Sequence, residues 1–511
     1  MRCSNFVSRS GSMARWCAIG VASLAARHAE AQVHYHADGQ PWRQRASSGP
    51  DAEVPGWYFH LGLAGLRVEL VASDPTHLVV RHVFAGSPAA GSVQLGDHLV
   101  SAAGRRFATP HQNGYGMKVF GPGGPLLDLA DALEACQGPD RDGRLALELQ
   151  RDGKTVPATL AIGQRFGTFS PSFPADCPKS AKLLAALLEH LLAAQHEDGS
   201  FGDPIRDTFA PLALLASDAP AHRAAVERNV RFHARTTQAK DSDALILWRY
   251  MAAAIVMSEY QLATGAAWLV PELEQVRDFL LASQYVSLEQ VHPGVKKSHP
   301  DSWPKDARQQ HGGWGHNPGF EGYGPIAMVT AQGALAFALM AKCGVAIDRE
   351  RHAAALDFLA RGTGRNGYLW YADSVAGEDD WADMGRTGAS AIACHLAPFD
   401  VATYRALARK QTAVIGDHPE SFPDTHGSPL MGMGYAALAA HLEPASWRRL
   451  MDANRWWFTL AQCSDGTFCY QPNRDNAGYG ADSREAASAV TAFILSIPKK
   501  NLAITGRAEK S

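Results

Sequence analysis

From Ser180 to Ser217 the chain reads SAKLLAALLEHLLAAQHEDGSFGDPIRDTFAPLALLAS, and the breadth of its apolar face changes half-way. Leu183, Leu184, Leu187, Leu188, Leu191 and Leu192 recur at helical spacing with Lys182 and Glu189 opposite them, the pattern of a helix packed by one face. DGSFGD then interrupts the helix, because Gly199 and Gly202 accept backbone angles other residues avoid, while Asp207 and Thr208 can cap a second helix. That second segment, Phe209 to Ala216, is apolar almost all round and must be covered on every side. The unit is therefore an amphipathic outer helix, a glycine turn and a buried inner helix.

The unit repeats. LMDANRWWFTLAQCSDGTFCYQP precedes REAASAVTAFILSI, and AALDFLARGTGRNGYLWY precedes GRTGASAIACHLA. Inner helices are expected near 209–217, 242–264, 325–343, 386–397, 427–442 and 483–497, each after an outer helix near 179–195, 221–235, 271–284, 349–361, 400–415 and 446–462. Repetition at this scale means stacked supersecondary units, and six helical hairpins can close into an all-α (α/α)6 toroid. Inner-to-outer links such as SDAPA, GVAID and APFD are short. Outer-to-inner links are long, above all Val286 to Gly324, Thr363 to Gly385 and Ser464 to Asp482. Long irregular loops tend to be functional, and alternation gathers these at one end of the ring, where a cup is expected.

Ahead of the helices, residues 56–163 change period. HLVVRHVF and RLALELQ read as strands between Gly, Pro and Asp turns, and LLDLADALEAC as a short amphipathic helix. The run SPAAGSVQLGDHLVSAAGRRF, with SPAA, then LGD, a hydrophobic strand and a glycine, resembles the bacterial PDZ fold, a small mixed β/α domain. That resemblance implies a carboxylate-receiving loop at Leu61, Gly62 and Leu63, and a second groove wall in the helix Leu126 to Ala135. The partner would be a peptide or protein tail added as a strand. The alternative is a packing module against the toroid.

The remaining boundaries come from composition. Residues 1–31, with Arg2, Arg9 and Arg15 before an apolar run and Ala29-Glu30-Ala31 after it, pattern as a signal peptide, which places the protein in the periplasm or outside the cell. Residues 32–55 form a polar linker in which His34 and His36 are a weak metal site, 164–178 a Pro-rich junction, 179–498 the toroid and 499–511 a tail. Together with GTFSPSFPADCPKS, the two modules resemble an exported bacterial family of unknown function that fuses a PDZ-like domain to a toroid of the squalene cyclase and prenyltransferase type.

At 511 residues with net charge -3, the chain offers no general attraction for nucleic acid or acidic membranes, and no apolar run is long enough for a stable transmembrane anchor. Eight cysteines are too few for a disulfide scaffold, but Cys463/Cys469 and Cys343/Cys394 are candidate pairs in an oxidising compartment.

The expected cup is rich in aromatic and charged groups. His311, Trp314, His316, Tyr323, Tyr368, Trp370, Tyr479, Asp482 and Arg484 are the candidate ligand-binding residues, a mixture suited to a saccharide or peptide. Asp383, Asp424, His426, Glu321 and Arg386 are the catalytic candidates if the cup processes glycans, by two-carboxylate hydrolysis or by elimination with a base and a cation. The competing reading of Asp207, Asp424 and Asp482 is helix capping. His311, His316, Glu321 and His426 lack a regular metal-ligand spacing, and neither a metal nor a cofactor is expected. The turns QHEDGSF and QCSDGTF resemble those of terpene cyclases and protein prenyltransferases, but the DxDD acid and the zinc set of those enzymes are absent, which leaves the turns as structural punctuation.

Overall fold

The structure, a computed structural model, describes residues 57–508 except 72, 112–122, 238–243, 299, 302, 321, 323, 378–382, 426–428 and 472–483. The signal-peptide and linker expectations, and candidates Glu321, Tyr323, His426, Tyr479 and Asp482, lie outside the described residues.

Seven strands form one antiparallel sheet: β1 (Trp57–Leu61), β2 (Leu66–Leu70), β3 (Leu78–Val83), β4 (His98–Ala102), β5 (Arg105–Arg106), β6 (Arg144–Arg151) and β7 (Lys154–Ala161). Their order is β1-β2-β3-β4-β6-β7, with β5 paired to β4, and α1 (Pro125–Cys136) packs on β4 and β6. Along β6 the burial alternates from Arg144 to Leu149, as expected of a strand with one face on a core.

The helical part consists of α2 (Pro178–Ala194), α3 (Arg206–Ala216), α4 (Pro220–Thr236), α5 (Ile246–Thr264), α6 (Leu269–Ser283), α7 (Pro293–Ser298), α8 (Ala327–Lys342), α9 (Arg349–Arg361), α10 (Met384–His395), α11 (Val401–Asp417), α12 (Pro429–Ala440), α13 (Pro444–Ala453), α14 (Arg455–Ala461) and α15 (Arg484–Ser496). The last outer element, expected as one helix, is two, broken at Asn454, whose side chain donates to Pro419 O and Leu450 O. α7 lies in the longest outer-to-inner link.

α3, α5, α8, α10, α12 and α15 pack each on the next, and α15 packs back on α3, so the inner wall closes into an α/α toroid. Small residues permit this. A Cβ on Gly385 of α10 would stand 2.4 Å from the Cα of Gly432 on α12, and one on Gly388 would stand 2.6 Å from Tyr435 O. Glycine turns seat hairpins against the next outer helix: a Cβ on Gly199 would meet Arg228 O of α4 at 2.4 Å, and one on Gly312 would meet Ala354 O of α9 at 2.1 Å. At Gly466 a Cβ would meet Phe166 of the junction at 2.8 Å and Ala186 of α2 at 2.9 Å, so the sixth turn abuts the first outer helix and closes the outer wall as well.

The sheet is fastened to the ring at α14. Phe59 of β1 meets Trp456, while Phe173, in the junction, packs between Phe169 and Phe458. Glu134 of α1 accepts three bonds that cross this seam: from Phe169 N at 2.6 Å, Lys179 Nζ at 2.5 Å and Thr459 Oγ1 at 3.1 Å. Lys179 is fully buried, and burial pulls its pKa down against the pull of Glu134. No described helix is long and apolar enough to cross a membrane.

Candidate functional site at the mouth of the ring

All six inner helices begin at the end of the ring that carries the outer-to-inner links, and the links interlock there. Leu247 N donates to His316 O and Leu245 N to Asn317 Oδ1, joining the start of α5 to the loop before α8. Ala327 N donates to Tyr371 O, joining α8 to the loop before α10. Asp373, nearly buried, accepts from Gln310 N at 2.8 Å and pairs with Arg361 at 3.0 Å.

The candidate residues divide by the direction of their side chains. Tyr368 and Trp370 alternate outward and cluster with Val414 of α11, with the Tyr368 ring against His418. Leu369 and Tyr371, one step along, face the inner wall: Leu369 N donates to Thr387 Oγ1 of α10, and the Tyr371 ring lies 5.2 Å beneath the Arg386 guanidinium. Tyr371 is thus the aromatic residue that meets a cation here. Trp314 is a wall residue, fully buried, with Nε1 donating to Leu280 O and its ring resting on Gly333 and Phe337.

His316 Nδ1 accepts from Trp248 Nε1 at 2.8 Å, a contact the spacing of the sequence does not disclose. Burial lowers the pKa of His316, and burial followed by Arg361 and Arg351 lowers that of His311. Asp383 is the N-cap of α10, its Oδ1 accepting from Arg386 N at 2.9 Å, and its Oδ2 lies 3.8 Å from the Arg386 side chain. Asp424 is buried, five positions ahead of α12. Arg484 opens α15, 3.9 Å from Asp465, as Arg206 opens α3 paired with Asp203 at 2.7 Å.

One strongly perturbed acid reads in the sequence only as a cap. Asp207 is buried in the first turn of α3, where desolvation pushes its pKa up to about 6 although Phe201 N and Asn229 Nδ2 both donate to it. These bonds tie the first glycine turn to α4, a structural use of the carboxylate.

The loop expected to receive a carboxylate lies elsewhere, against the ring. Leu61 and Leu63 are buried, and Gly62 N donates to Leu460 O at 3.0 Å. The free edge of β1 is covered by Gln471, whose amide donates to His60 O at 2.7 Å and accepts from His60 N at 3.0 Å. α1, the expected second wall, packs on α14. The described cysteines are free and buried. Cys343 Sγ contacts Ser258 O while Cys394 stays on Ser390 of its own helix, so that expected pair is not formed. Cys463 and Cys469 are likewise thiols, both directed at Ala461 O.

The description of a domain of unknown function, DUF6288, matches residues 180–506. The chain belongs to the DUF6288 family. No curated protein matches it in sequence. Among solved structures, the DUF6288 toroid is similar to a GH76 alpha-mannanase of Bacteroides thetaiotaomicron, at 12% identity over 64% of this chain and 97% of that one, TM-score 0.46. It is also similar to a type II terpene cyclase from Scytonema, at 12% identity over 63% and 97%, TM-score 0.41. A family 88 glycosyl hydrolase from Bacteroides vulgatus aligns at 9% identity over 63% and 99%, TM-score 0.40. These likenesses concern the fold alone.

Proposed function

We propose that this DUF6288 protein binds a saccharide at the mouth of its toroid, outside the cytoplasm, with Arg386 and Tyr371 as the principal contact pair. The observation that carries this reading is the guanidinium of Arg386 held 5.2 Å over the Tyr371 ring at the start of an inner helix, with both residues only partly buried. An aromatic face with a fixed cation suits a sugar ring, whose apolar face stacks while its hydroxyl or carboxylate groups take hydrogen bonds. Six helix N-termini gathered at the same end add partial positive charge, which favours an acidic saccharide over a neutral one.

Asp383 serves the helix as a cap, a structural use of the carboxylate, whereas hydrolysis would need two acids facing one bond. Binding is therefore the primary activity proposed. The N-terminal sheet acts in this reading as a wall docked on the ring, because its loop N–H and strand edge are already bonded there. The test is a panel of acidic and neutral polysaccharides, assayed for binding, for new reducing ends and for unsaturated products. Binding without products is expected, and the absence of binding across the panel would sink the proposal. A product in any well would replace it with glycan processing.

A further inference from the structure

Far from the mouth in sequence, the turn between β2 and β3 brings three metal-ligating side chains together. Asp74 Oδ2 lies 2.6 Å from His77 Nδ1 and 2.8 Å from His98 Nδ1. The three ligand atoms all fall within 4.8 Å of one another, and each side chain is partly exposed. Among the described residues this is the group of histidine, cysteine and carboxylate side chains that could hold an ion. It contains none of the histidines of the mouth.

The surrounding backbone fixes the three positions. The turn is closed by Asp74 N donating to Val71 O and by His77 N donating to Asp74 O. From beneath, His111 donates its backbone N–H to Pro75 O and places Nε2 3.1 Å from Val71 O. His98 opens β4 next to Asp97, which Arg151 of β6 holds by two bonds of 2.7 Å each. The histidines thus project from one braced turn and one clamped strand.

We infer that Asp74, His77 and His98 form a site for a divalent late first-row cation, zinc by preference, with a remaining coordination position open to water. Two imidazoles and one carboxylate are the donor set such ions favour over the all-oxygen sets of calcium and magnesium. An ionised carboxylate can only accept, so both Nδ1 atoms carry the protons that now bridge to Asp74. On binding, each ring must offer its Nδ1 lone pair, with the remaining ring proton on Nε2. Tetrahedral ligands at the usual zinc bond lengths stand about 3.3 Å apart. The Asp74 carboxylate must therefore withdraw by roughly half an ångström, which a partly exposed side chain on a turn allows.

The test uses the full chain, stripped with a chelator and titrated with Co2+ while its visible ligand-field absorption is followed. One equivalent should bind and be displaced by Zn2+. His77→Gln and His98→Ala should each weaken Co2+ binding about ten-fold or more, a loss at least as large as that from disturbing a ligand's supporting shell. Asp74→Asn should do the same. The double variant His34→Ala/His36→Ala should leave that equivalent unchanged. Zn2+ should also raise the melting temperature of the parent protein and of the His34/His36 variant but not that of His77→Gln, which separates lost ligation from lost folding. Absence of Co2+ binding, binding unchanged in His98→Ala and His77→Gln, or binding lost with His34 and His36 would each overturn the site.

Discussion

The seam between sheet and ring and the mouth of the ring are both built from loops beside helices, yet they treat polar groups in opposite ways. At the seam, bonds cross from sheet to ring: Gly62 N with Leu460 O, the His60 backbone with the Gln471 amide, Lys179 with Glu134. At the mouth, bonds run mainly between neighbouring links, and Arg386 and Tyr371 keep partly exposed surfaces. Burying a polar group without a partner is costly, so a closed seam fixes one geometry, whereas exposed groups at the mouth remain available to a ligand. Changes at the seam should therefore act on stability, and changes at the mouth on binding.

The largest effect is expected at Glu134. Glu134→Ala leaves the fully buried Lys179 without its partner, and breaking one side of a buried pair costs about 3–5 kcal/mol. Chemical denaturation should show this loss, and Glu134→Leu combined with Lys179→Met should recover a large part of it. If Glu134→Ala unfolds at the same denaturant concentration as the parent, the seam is not held by charge. Next comes Gly62→Ala. The new Cβ would stand 2.4 Å from Gln462 O and 3.2 Å from Cys463 Sγ, so the loop must lift from the ring. A loss of about 1–3 kcal/mol is expected, with faster proteolysis between sheet and ring. Unchanged proteolysis would mean that the loop is not what seats the sheet.

The toroid was legible in the sequence because its signal is redundant: six apolar inner segments alternate with six amphipathic ones, and the observed helices begin and end within a few residues of them. The seam was not legible. Glu134 sits on an ordinary amphipathic helix and Lys179 at the first turn of another, 45 positions apart. Nothing local distinguishes a lysine that will be buried from one that will be solvated. The mouth was legible as a place but not in its details, since Tyr368, Trp370 and Tyr371 look equivalent in YLWY until the alternation of an extended segment sends the first two to α11 and the third to Arg386. The histidine pair around Asp74 escaped because its members meet only through the register of β3 with β4, in which Val79 opposes His98.

A pH-dependent effect separates acid sensitivity of the ring wall from that of the mouth. His352 is buried between Phe337 and Phe399, and desolvation pulls its pKa down to about 4. Between that value and the unfolded 6.5 the unfolded chain binds the extra proton, so this residue removes stability as pH falls through that window. His233, also near 4, acts in the same sense, whereas Asp207, raised to about 6, favours the protonated folded state as pH falls and partly offsets them. His352→Phe should make the protein about 2–3 kcal/mol less sensitive to a change from pH 7 to pH 4. Urea titrations at the two pH values check it, and an unchanged difference would place the acid sensitivity elsewhere.

The smallest effect on stability is expected at Arg386, and it sharpens the comparison most. Its contact with Asp383 is 3.8 Å long and the cap of α10 is made by Arg386 N, which any residue but proline supplies. Arg386→Met keeps that N–H, keeps an apolar stem over Tyr371 and removes the charge. The guanidinium contact is long and the buried Asp383 keeps the backbone N–H of residue 386, so the loss should be about 1 kcal/mol, the worth of one hydrogen bond, and the melting temperature should barely move. If the mouth is where a saccharide docks, the same substitution should weaken binding of any acidic polysaccharide retained by the parent about ten-fold, while Glu134→Ala, measured below its melting temperature, should bind as the parent does. A large stability loss in Arg386→Met with unchanged binding would reverse the assignment, making the guanidinium part of the wall and moving the ligand to another part of the ring.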